Sequence, residues 1–176
     1  MKTSRVFGML LSITALVMQV VMLFVGPKAD FLFKFLSIVT AIFAAILSFV
    51  YFFKGGTKSE AKWRTLFCMM LAISLFFSFI KNIQAGQGTV NNICLLLTAI
   101  LTGYLAFVKD LGKNKSIALA IIVVILQIIT IVFMFLSGKG IRPSKILGVF
   151  STTILILLLL STTYTKYIDK ELRKAK

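Results

Sequence analysis

Six long apolar stretches, 6–25, 31–53, 63–80, 90–108, 117–136 and 146–164, follow one another with scarcely an ionisable residue inside them. In a helix, roughly 20 residues at about 1.5 Å each cross the hydrocarbon of a bilayer, and each stretch reaches or approaches that length. Hydrocarbon offers no partner to a backbone N–H or C=O. An open strand there would leave such groups unpaired at several kcal/mol apiece, whereas a helix pairs them within itself. The sequence therefore predicts an all-α integral membrane protein: one polytopic domain over 1–176 with six transmembrane helices. The fourth stretch is the weakest, because its strongly apolar part starts only at Ile93 and Gly103 interrupts it.

Composition agrees with lipid as the solvent. The chain is 59% hydrophobic and 14% charged, with a mean hydropathy of +1.01, against about 45–50% apolar and about 25% charged in soluble domains. Lys2 and Arg5 before the first apolar run resemble the start of a signal peptide. That run, however, is longer than a secretory h-region of about 7–15 residues, and "FVGPKAD" lacks an A-x-A site. The expectation is an uncleaved first helix.

The net charge of +15 would suggest a nucleic-acid partner in a soluble protein. Here the cations lie between the apolar runs, not along one helix face, so no nucleic acid is expected and the charges report topology. Lys2, Arg5, Lys54, Lys58, Lys62, Arg64, Lys109, Lys113, Lys115, Lys166, Lys170, Arg173, Lys174 and Lys176 fall at the termini and after runs two and four. The alternate connections carry only Lys28, Lys34, Lys81, Lys139, Arg142 and Lys145. The positive-inside rule places the richer side in the cytoplasm. The expected topology is thus three consecutive helical hairpins in a cell (plasma) membrane of bacterial inner-membrane type, with both termini inside. The basic tail "TKYIDKELRKAK" suits anionic inner-leaflet lipids.

A weak threefold repeat is also suggested. "YFFK" at 51–54, "AFVK" at 106–109 and "TYTK" at 163–166 close the even helices at similar spacing. The even helices carry small residues about four apart: Ser37, Ala41 and Ala45, then Ala99 and Gly103, then Gly148 and Thr152. Such faces let helix backbones approach closely in lipid and are candidate packing faces, within the chain, with a protein partner or in a homo-oligomer. Small residues are also common in any membrane helix, which is the plainer account.

Chemistry has few carriers. The chain has no histidine and five acidic residues, and no apolar run has an ionisable group near its middle, so neither a proton relay nor acid–base catalysis is expected. Cys68 and Cys94 lie too far apart in depth for a disulfide and have no clustered ligands for a metal. No cofactor is implied. What remains is neutral: Gln19, Ser74, Gln127 and Thr130, which would either line a small polar cavity or hydrogen-bond between helices. The connection 137–145 gathers Lys139, Arg142 and Lys145, a candidate contact for anionic groups outside or simply helix ends facing lipid headgroups. The connection 81–92, rich in amides, reads as a lid or a solvated turn.

The leading expectation is a non-enzymatic membrane subunit or assembly partner. The alternative is a small transporter or solute-binding subunit for a neutral or weakly polar solute. Convergence of Gln19 and Gln127 on one cavity would favour transport. Solid packing would favour the subunit.

Overall fold

The computed structural model describes residues 3–25, 31–54, 58–84, 86, 88–108, 111–136 and 143–174. Six helices account for nearly all of them: α1 (Thr3–Val25), α2 (Phe31–Lys54), α3 (Lys58–Gln84), α4 (Thr89–Phe107), α5 (Lys113–Leu136) and α6 (Pro143–Lys174). Each contains a segment long and apolar enough to span a membrane, and there is no strand among the described residues. This is a multi-pass membrane architecture.

The helices outrun their apolar stretches. α3 begins at Lys58 and runs to Gln84, and α6 continues through the basic tail to Lys174. The edge of an apolar run marks where side chains leave hydrocarbon, whereas the backbone ladder stops only where a residue breaks it. At the end of α3 that residue is Gly86, at φ 62°, whose N–H donates to Ile83 O at 3.0 Å. A side chain is disfavoured in this left-handed conformation. Much of the connection read over 81–92 as a lid or a solvated turn is helical, since 81–84 belong to α3 and 89–92 to α4. Pro143 opens α6, where its missing N–H costs no intrahelical bond. α4 starts at Thr89, four residues before Ile93, and passes through Gly103 unbroken.

Neighbour relations run in order from α1 to α6 and back to α1, so the bundle closes on itself, and α6 also reaches α2. Side-chain pairs fix directions. Ser37 meets Ser74 while Phe43 stacks on Phe67, so α2 and α3 are antiparallel. Arg64 reaches Leu105 and Val108 while Gly103 faces Ala72, so α3 and α4 are antiparallel too. Gln19 with Ser151 and Met22 beside Gly148 set the same relation for α1 and α6. The start of α1 and the end of α6 thus share one end of the bundle.

The even helices are the more buried. Within the candidate spans 33%, 44% and 50% of residues are buried in α2, α4 and α6, against 22%, 17% and 17% in α1, α3 and α5. Small side chains permit this: Ala41, Ala45, Ala99 and Ala106 belong to one core with Phe52, Ile156 and Leu158. Since lipid is as apolar as that core, close packing and interhelical hydrogen bonds, more than transfer from water, hold the helices together. Among the described glycines, the one with least room for a Cβ is Gly8, where α1 lies directly on the ring of Phe52 in α2. Phe52 is 1% exposed and meets Tyr51 edge-on, with ring centroids 5.4 Å apart.

Candidate functional site

Intramembrane polar side chains are the natural candidates for function, and their partners decide what they do. Gln19, one of the buried groups of α1, donates from Nε2 to Ser151 Oγ of α6. Gln127, buried on α5, donates from Nε2 to Thr98 Oγ1 of α4 at 3.2 Å. Ser74 of α3 donates to Ser37 Oγ of α2 at 3.1 Å. Thr130, one turn beyond Gln127, donates to Leu126 O in its own helix at 2.8 Å. Of the four proposed cavity residues, only Gln127 and Thr130 share a helix; the other two are paired on separate helix boundaries. Each of these three bonds between side chains belongs to a different pair of helices.

The other buried hydroxyls mostly turn back on their own helices. Ser12 donates to Gly8 O at 2.9 Å, Thr102 to Thr98 O at 2.7 Å, and Thr163 to Leu159 O at 2.8 Å. A hydroxyl satisfied in this way can lie inside a bundle without a ligand. Thr98 does both, donating to Cys94 O at 2.7 Å while accepting from Gln127. Between α2, α3 and α6 a cavity of about 10 Å³ is lined by Thr40, Ala41, Ala44, Phe67, Leu71, Leu155, Leu158 and Leu159. It is no larger than a water needs, and its lining offers almost no polar partners.

The candidate packing residues are distributed as follows. Ala41 and Ala45 are buried in the core, as is Ala99. Ser37 is spent on Ser74. A Cβ at Gly103 would sit 3.7 Å from Ala72 Cβ, and one at Gly148 would sit 3.8 Å from Met22 Cε. Thr152 donates to Gly148 O at 2.9 Å. These positions therefore line contacts within the chain. Of the candidate anionic contact, Lys139 and Arg142 lie outside the described residues, and Lys145 is exposed near the start of α6.

One functional arrangement was not evident in the sequence. Arg64, read there as a topology signal, donates through Nη2 to both Leu105 O and Val108 O at 3.0 Å. The guanidinium thereby closes the C-terminus of α4, where unpaired carbonyls concentrate negative potential. The signal was available in part: a cation at the start of one helix can meet the end of its antiparallel neighbour. Cys68, one turn further into α3, is buried beside Arg64, and Cys94 is buried in α4; both are free thiols. No cluster of His, Cys, Asp or Glu able to hold a metal occurs among the described residues.

Comparison of the chain with protein-family models, curated proteins and solved structures finds no match.

Proposed function

We propose that the protein is a non-enzymatic, multi-pass membrane subunit whose interior serves to hold its helices in place and whose outward faces meet lipid or a partner. The observation that carries this reading is the separate pairing of Gln19, Gln127 and Ser74 across three helix boundaries. A solute site would need polar groups converging on one space, and here the buried amides are used between neighbours. The outward faces of the odd helices are broad and apolar, with Ile13 and Val17 on α1, Met70 and Ile73 on α3, and Ile125 and Ile128 on α5 all exposed. Those faces are suited to acyl chains and to a partner's membrane helices.

In this reading the helices form three hairpins, α1–α2, α3–α4 and α5–α6, with both termini in the cytoplasm of a cell whose plasma membrane holds the protein. The positive-inside distribution supports that orientation. The basic end of α6 then lies against anionic inner-leaflet lipids.

The test is purification from the native membrane after in-membrane cross-linking. A second protein, or a second copy, recovered in fixed stoichiometry supports the subunit reading. A small molecule retained in fixed stoichiometry, or solute uptake by vesicles containing the purified chain alone, would replace it with transport.

A further inference from the structure

We propose that the chain is a ring of three two-helix units, α1–α2, α3–α4 and α5–α6, joined head to tail by three interchangeable interfaces, so that each unit is a docking partner for another of its kind. The inference stands on the geometry of the helix boundaries and is independent of the subunit reading. Each bond between side chains of two helices described above links a hydroxyl of an even helix to a polar group of the odd helix in the next unit, whereas Arg64 of α3 binds backbone carbonyls at the end of α4 inside its own unit. Ser37 of α2 meets Ser74 of α3, Thr98 of α4 meets Gln127 of α5, and Ser151 of α6 meets Gln19 of α1. The third bond is the telling one. No short connection brings α6 beside α1, yet that boundary carries the same kind of polar joint as the two whose helices are consecutive in the chain.

Two further observations follow the same pattern. Burial alternates helix by helix, with all three even helices more buried than all three odd ones. The odd-helix partners, at positions 19, 74 and 127, recur at intervals of 55 and 53, and the even-helix partners, at 37, 98 and 151, at 61 and 53. A head-to-tail interface repeated by a rotation that closes gives a ring with no unused face. Each unit here offers an even face with its hydroxyl and an odd face with an amide or hydroxyl. The closed chain uses all three pairs of such faces. Any other partner would then attach to the outward sides of the helices, where apolar side chains stay exposed on odd and even helices alike, Ile13 and Ile73 as well as Phe43 and Ile100.

Interchangeable interfaces make the position of the chain ends immaterial, provided they stay between units. The test uses circular permutants of the full chain in which a flexible Gly/Ser linker joins Lys176 to Met1 and new ends are opened at 55–57 or at 109–110. Cys68→Ala and Cys94→Ala remove the native thiols. Gln19→Cys with Ser151→Cys, and in parallel Ser37→Cys with Ser74→Cys, report two of the joints to a short thiol cross-linker. The expected result is cross-linking at both joints within one chain, in the natural order and in both permutants, with undiminished yield. A permutant that inserts in the membrane but loses either cross-link overturns the proposal, as does failure of both permutants to accumulate there. Cross-links between differently tagged copies of the natural chain, in place of links within one, would overturn ring closure.

Discussion

Gly8→Ala is the sharpest probe of the packing. A Cβ built at Gly8 would lie 2.7 Å from Phe52 Cδ1 and closer still to Cε1 and Cζ, whereas ordinary contact begins at 3.4 Å. The ring has little room to retreat, being 1% exposed and set edge-on to Tyr51. Overpacking of this kind costs about 1–3 kcal/mol, and an overlap this deep belongs near the upper end. Alanine recovers about 1 kcal/mol of that through its helix propensity. The net expectation is a loss of about 2 kcal/mol, roughly a 30-fold fall in the folded-to-unfolded ratio. Reversible unfolding in detergent, followed by steric trapping or by titration with a denaturing detergent, measures it. Gly103→Ala and Gly148→Ala serve as controls, because their new Cβ atoms meet neighbours at 3.7 and 3.8 Å; both should be neutral or stabilising by up to about 1 kcal/mol. In a Phe52→Leu background the Gly8→Ala penalty should largely disappear, a coupling within the about 0.5–3 kcal/mol seen for touching residues. Equal behaviour of all three alanine variants, or a penalty unchanged by Phe52→Leu, would refute the α1–α2 contact.

Other expectations concern the polar joints and the buried thiols. Gln19→Leu and Ser151→Ala should each destabilise by about 0.6–2 kcal/mol and the pair together by little more than one alone, which a double-mutant cycle resolves. Gln127→Leu and Thr98→Val should behave likewise at the α4–α5 boundary. Arg64→Ala should cost about 1.5–3 kcal/mol in the same unfolding assay by freeing the carbonyls of Leu105 and Val108, with Arg64→Lys recovering only part. Cys68 and Cys94 should resist a membrane-permeant maleimide in the folded protein and react together on unfolding, followed as mass added per chain.

The six spans were legible because apolar length is a property of composition, and lipid leaves helices as the natural way for these segments to cross. The ends of α3 and α6 were not, since polar residues such as Lys58 and Lys170 continue a helix as readily as they end an apolar run. Gln19 and Gln127 were identifiable as intramembrane amides needing partners. Which partner each takes depends on how α1 and α5 are rotated, and apolar side chains around most of each helix leave no polar face to set that rotation. The contact at Gly8 is hidden in the sequence for a similar reason: a glycine in an apolar run becomes informative only when the ring of Phe52 is known to lie against it. The sequence reads Arg64 as a topology signal, and that reading hides its bonds to the end of α4.

Water accessibility at the interior polar positions tests the central claim most directly. Single variants Gln19→Cys, Ser74→Cys, Gln127→Cys and Thr130→Cys, made in a chain with Cys68→Ala and Cys94→Ala and held in sealed vesicles, are exposed to a membrane-impermeant maleimide from each side in turn. Side chains closed between neighbouring helices should stay unlabelled from both sides until the protein is unfolded. Labelling of Gln19→Cys and Gln127→Cys from the same side would mean that an aqueous pathway joins them, and the interior described here would be wrong.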